Sequence, residues 1–164
     1  MPPTKQSGKQ QSTTAGKGFG SSSSSLKSSS KFTSLIQDLK GKSITKTKLR
    51  DTVFNTLLDD AVETPEEGKY YFFDYDPKYK GILKQWDQFP LIRLLEVKGD
   101  TYLGANLHYI QSNARLSAIN NKKYPAATLH YYIPKNADDI FFEVSEDDIQ
   151  VLSQLPLEKF HWNR

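Results

Sequence analysis

The sequence predicts an α+β protein: a small antiparallel curled sheet or open barrel with peripheral short helices, preceded by a disordered Ser/Lys-rich N-terminal tail. Three observations predict it. Residues 1–31 are dominated by Ser, Gly, Gln, Thr and Lys. Aromatic residues, 12% of the chain, gather in short runs bounded by turn residues. Those strand-like runs are few, short and mostly joined by brief connections. With 164 residues, 37% of them hydrophobic, the chain holds one core and not two. It therefore divides into a tail at 1–31, a helical segment at 32–63 and a compact β-rich domain at 64–164 that packs with the helices.

The tail contains runs of serine at 21–25 and 28–30, and Lys5, Lys9, Lys17, Lys27 and Lys31 with no acid. Such a segment offers too little apolar surface to offset its ordering entropy, so disorder is expected. Its spaced lysines suit a polyanion, which they bind by releasing counterions, although a plain solubilising arm has the same composition. The formal charge of +3 is local to this end, because beyond residue 31 there are 17 basic against 19 acidic residues. No cysteine is present, which removes disulfides, thiolate ligands and a cysteine nucleophile and fits a reducing compartment. No apolar run reaches the roughly 18 residues of a membrane span, and the N-terminus lacks a secretory signal, so a soluble intracellular protein is expected.

Order is expected to begin at Phe32. Thr33 to Lys40 reads as a short helix with a hydroxyl N-cap, stopped by Gly41. A longer helix follows over Lys46 to Val62, capped by Thr45 or Ser43, with Leu49, Val53 and Leu57 on one face. Lys40, Lys42, Lys46, Lys48 and Arg50 lie in a stretch without an acid and form a basic collar continuous with the tail. Positive charge at a helix N-terminus opposes the macrodipole, a conflict that a bound anion removes.

Thr64 to Gly68 is a turn, and Lys69 to Tyr75, apolar on both faces, is a central strand. Leu91 to Val97 is a second strand, Lys98-Gly99-Asp100 a hairpin turn and Thr101 to Ala105 the returning strand. Gly104 inside that strand suggests a bulge or a close backbone approach. Asn106 to Ile110 is a loop, Asn113 to Asn120 a short helix, and Ala127 to Ile133 and Ile140 to Val144 are further β-like runs. Ser145-Glu146-Asp147-Asp148 is a capping signal for the turns over Ile149 to Leu155.

Catalytic signatures are sparse. His108, His130 and His161 show no zinc-ligand spacing, and both His108 and His130 read as semi-buried, hydrogen-bonded imidazoles. The glycines of Gly16-Lys17-Gly18-Phe19-Gly20 follow no strand and make no phosphate cradle. A magnesium-dependent nuclease would need Asp74 or Asp76 beside Glu96 and Lys98, yet these residues also suit an ordinary strand end and hairpin. No metal, cofactor or small-molecule substrate is expected, and the chain reads as a binding or structural protein.

Three segments in fixed order carry a resemblance: Tyr75-Asp76-Pro77-Lys78-Tyr79-Lys80, then Trp86-Asp87-Gln88-Phe89-Pro90-Leu91, then Tyr102 to Ile110 with Gly104, Asn106, His108 and Tyr109. Together, over about residues 70–118, they resemble the DNA end protector family of T-even-like tailed phages, departing from it where Gln85 precedes Trp86. The resemblance implies a non-enzymatic virion protein in the phage head or neck, present in the host cytoplasm during assembly. Its implied partners are the ends of packaged linear double-stranded DNA, which it shields from exonuclease, and other phage structural proteins. A purely structural head–neck, tail or baseplate subunit whose arm orders on assembly is the alternative. For DNA binding, Lys17, Lys27, Lys31, Lys40, Lys42, Lys46, Lys48 and Arg50 are the expected phosphate contacts. Trp86, Tyr79 and Tyr102 are the rings available to stack on a terminal base pair.

Overall fold

The computed structural model describes residues 30–40, 42–136 and 139–163. Residues 1–29 of the tail expected to be disordered, with Lys17 and Lys27, and the Gly41 helix stop lie outside the described residues, whereas its last two residues, Ser30 and Lys31, are ordered against Asp148. Ser30 is buried: its hydroxyl donates to Asp148 Oδ1 at 2.8 Å and accepts the Phe32 N–H at 3.1 Å. Helix α1 (Thr33–Leu39) has Phe32 at its N-cap without a side-chain cap, so the expected hydroxyl cap is absent there.

Helix α2 (Lys46–Thr56) starts as its sequence predicts, with the Thr45 hydroxyl accepting from the Lys48 amide at 3.1 Å. Leu49 and Val53 are buried, as is Leu57 just beyond. The helix ends six residues short of the expected Val62. Leu57 N–H is shared between the Val53 and Phe54 carbonyls, and the chain tightens into a 3-10 turn at Leu58–Asp60. Asp59 and Asp60 would stand at the negative end of a longer helix, with no basic residue in the last turn to oppose them. Ala61–Val62 instead forms strand β1.

Strand β2 (Tyr70–Phe72) is buried at all three positions and pairs on one side with β4 (Leu91–Lys98), on the other with β7 (Phe141–Val144). The hairpin at Gly99, where φ is +59°, leads from β4 into β5 (Thr101–Asn106), which pairs in turn with β6 (Leu129–Tyr132). The resulting order, β1-β7-β2-β4-β5-β6, is antiparallel throughout. A separate two-stranded ribbon pairs β3 (Gln85–Asp87) with β8 (Phe160–Trp162). Helices α3 (Arg115–Asn121) and α4 (Glu146–Leu152) are the remaining α-helices among the described residues; Ser145 caps α4 by accepting the Asp148 N–H.

This architecture corrects the expectation of a curled sheet or open barrel. The sheet is open: among the described residues two-residue β1 pairs only with β7 and four-residue β6 only with β5, so four strands separate its edges. Closure needs the edge strands to meet and hydrogen-bond. The α+β arrangement with short helices remains.

Both faces of the sheet are covered. Tyr70, Phe72, Leu91 and Val144 meet α2, α3 and α4 through Leu49, Val53, Ile119, Ile149 and Leu152. Tyr71, Phe73, Tyr75, Ile92, Leu94, Tyr132 and Phe141 form an aromatic cluster on the other face. Within it Phe73 contacts Tyr75, Tyr132 and Phe141 with ring centroids 4.7 to 6.0 Å apart. Gly104 combines both features expected of it. The β4–β5 register shifts between Leu94 and Glu96, and a Cβ on Gly104 would lie 2.7 Å from Ile92 Cδ1 and 3.1 Å from Ile92 Cβ.

Candidate nucleic-acid interface

The second and third of the three motif segments converge inside the molecule. Asp87, at the end of β3, has a fully buried carboxylate. Its Oδ2 accepts from Asn106 Nδ2 at 3.1 Å and meets His108 Nδ1 at 2.6 Å, while Oδ1 accepts the Phe89 and Lys159 amides, each at 3.0 Å. Burial alone would raise the Asp87 pKa; the His108 contact, the Lys159 amide and Asn106 outweigh it and hold the carboxyl below its ordinary value. An ionised carboxylate only accepts, so His108 Nδ1 carries the proton. His108 Nε2 is buried with no hydrogen-bond partner among the described residues. The His108 amide donates to Asn106 Oδ1 at 2.9 Å, closing the loop that holds the 3-10 turn Leu107–Tyr109. Tyr109 packs against His130 and Phe160, and burial together with the Asp87 charge pushes its phenol up to about 12.

Arg115 is a buried cation that sequence reasoning passed over inside the expected helix. Its guanidinium donates to the carbonyls of Ile110 at 2.9 Å and Ser153 at 2.8 Å, tying the turn after β5 to the end of α4. No periodicity announces such a residue, since its acceptors are backbone oxygens.

The other motif residues serve as joints. Asp76 pairs with Lys80 at 2.6 Å, and this hydrogen bond first of all holds its carboxyl below the usual range. Buried Pro77 bridges to Pro134. The exposed Lys78 donates its amide to Ile133. Trp86 stacks on His161 with ring centroids 5.0 Å apart, and Pro90 is buried. Of the three stacking rings, Trp86 and Tyr102 are engaged with His161 and Phe141, whereas Tyr79 is 52% exposed. The residues for a nuclease are not assembled. In the β2–β4 register Tyr70 faces Arg93 and Phe72 faces Leu91, so Asp74 and Asp76 lie past one end of the ladder and Glu96 past the other. Among the described residues no group of three or more His, Cys, Asp or Glu side chains is placed to hold a metal.

The expected phosphate contacts fall into two kinds. Lys40, Lys42, Lys46 and Lys48 are exposed, and Lys31 forms an ion pair with Asp60. Arg50 is only 7% exposed: Nε donates to the Leu157 carbonyl at 2.8 Å, Nη2 to the Glu158 carbonyl at 3.2 Å, and the guanidinium lies over the Phe89 ring at 4.7 Å. Lys46 Nζ approaches Glu158 Oε1 at 3.4 Å and the Glu158 carbonyl at 3.5 Å. Between them opens a cavity of about 440 Å³ lined by Lys46, Thr47, Arg50, Glu158, Lys159 and Phe160. Lys159 went unnoticed in the sequence because it lies 109 residues beyond Arg50 and outside any charged run.

A buried carboxylate satisfied by internal donors, beside a cationic surface with an open cavity, fits a binding domain. Comparison with protein families identifies the class further: residues 24–130 match the family described as phage T4 terminal DNA protecting protein. The chain belongs to that family. It is a bacteriophage virion protein that binds and protects DNA ends, and it is not an enzyme. Comparisons with curated proteins and with solved structures find no match. No helix among the described residues is long and apolar enough to cross a membrane.

Proposed function

We propose that the collar at the start of α2 supplies the DNA contact by which this protein covers duplex ends, in the phage head or neck and alongside other phage structural proteins. The observation that carries this reading is the acid-free stretch from Lys40 to Arg50, whose four lysines are all exposed. Lysines spaced along a helix start neutralise backbone phosphates without reading sequence, as cover for any end requires. Lys17 and Lys27 extend the same contact, while Arg50 positions the collar through its hold on the 157–158 backbone. The Asp87–Asn106–His108 network fixes the ribbon and turn behind it.

The test is exonuclease protection of a linear duplex, at low and near-physiological salt, with a closed circle as competitor. Protection that the circle does not remove is expected, with binding that weakens steeply as salt rises. Replacing Lys42 and Lys48 together by Ala should flatten the log–log salt slope by about 0.9 for each phosphate that is no longer neutralised. Equal competition by the circle, or an unchanged slope in the double variant, would refute the assignment. Absence of any protection would favour a structural subunit that orders on assembly.

A further inference from the structure

The geometry points to the cavity between α2 and residues 158–160 as a receptor for the terminal phosphate monoester of a DNA strand. This rests on the reading of the collar as a DNA contact and deepens it, since lysines on an open surface attract any part of a duplex and do not single out its end.

Arg50 carries the argument. It is a cation more than nine-tenths buried, and among the described residues no carboxylate oxygen lies within 4.0 Å of it. Two backbone carbonyls and the Phe89 ring fix its plane, and Nη1 makes no hydrogen bond to the described residues. A buried guanidinium with a fixed plane and free donors is preorganised for an anion that accepts several hydrogen bonds at once. One turn earlier on the same helix, Lys46 Nζ reaches the same Glu158 carbonyl that Arg50 holds. Lys159 also lines the cavity, so three basic residues share it with the single carboxylate of Glu158. That carboxylate meets Lys46 through Oε1 at 3.4 Å while its Oε2 is buried with no hydrogen-bond partner among the described residues, so an arriving phosphate competes for the same ammonium group and binds only where the cations outweigh Glu158.

Charge and shape both select a terminus. A monoester carries up to two charges and three unesterified oxygens, whereas an internal phosphodiester carries one charge and is flanked by sugar on both sides. A cavity of about 440 Å³ has room for the former. The first turn of α2 forms one of its walls and adds the positive end of the helix dipole.

The experiment compares binding of the full chain to short blunt duplexes bearing a 5′-phosphate, a 3′-phosphate or hydroxyls only. The unaltered protein should prefer one phosphorylated end by about tenfold, the worth of one strong charge-assisted contact. Lys159→Ala should bring that ratio to about threefold or less. Lys42→Ala should weaken all three duplexes alike and leave the ratio in place. Arg50→Lys should abolish the preference, and the exposed position of Lys159 keeps the test decisive if Arg50→Lys does not fold. Equal affinity for all three duplexes, or a full preference retained in Lys159→Ala, would overturn the cavity while leaving end binding intact. Failure to bind any of them would overturn the DNA-contact reading itself, and the cavity assignment with it.

Discussion

Each acceptor position on the Asp87 carboxylate meets a donor, and three of the four donors lie 19, 21 and 72 residues away. Its depressed pKa makes this network a source of stability above the unfolded carboxylate value of about 3.9. The folded pKa is the lower one, so the contribution is complete above about pH 4 and is lost as pH falls through the folded value. Asp87→Asn turns two donors against an amide and should cost about 3–5 kcal/mol. Urea unfolding from pH 7 to pH 3 checks both: the variant should start lower and lose less on acidification. Asp87, Asn106 and His108 were legible as motif members. Their meeting was not, because nothing in three separated segments states that β3 lies beside the turn after β5.

The long β4–β5 hairpin shows what sequence does convey about elements. Its apolar strand, its Gly99 turn and its returning strand are local, and each stands where the pattern puts it. Strands β3 and β8 escaped because each has three residues and a partner more than 70 positions distant. β1 escaped because helical periodicity continues through Leu57 and Leu58, although Leu58 is 59% exposed. Inside the hairpin, Gly104→Ala should cost about 1–3 kcal/mol by overpacking against Ile92. Adding Ile92→Val removes the nearest methyl group but not Cβ, so the double variant should recover only part of the loss in a thermal melt. Full additivity of the two substitutions would argue against the contact.

At the scale of the molecule, Ser30 and Lys31 join the N-terminal end to the fold through Asp148 on α4. The Ser30 hydroxyl and the Lys31 amide both donate to the same carboxylate oxygen. Composition gives no hint of this, since Ser30 closes a serine run like any other residue in it. A chain shortened to begin at Phe32 leaves Asp148 without either donor and should be about 1–3 kcal/mol less stable than one beginning at Ser30. Equal denaturant midpoints for the two would show that the contact contributes nothing. The curled sheet or barrel failed at this same scale: most strands are locally connected, yet β7 lies between β1 and β2 in a position that only the complete chain reveals.

That placement of β7 has a consequence for the order in which the protein forms. During synthesis the β4–β5 hairpin can form as it emerges, because its contacts are short in sequence, and β6 can join once residues 129–132 have followed. β2 acquires its second neighbour, and β1 its only one, after residues 141–144 have been made. Asp87 waits longer still, for the amide of Lys159. Contacts that close such long loops cost entropy before they return any stability, and they slow folding. Residues 141–159 therefore lock a sheet begun near residue 61, and a nascent chain that stops short of them keeps the edge of β2 unsatisfied and open to other strands.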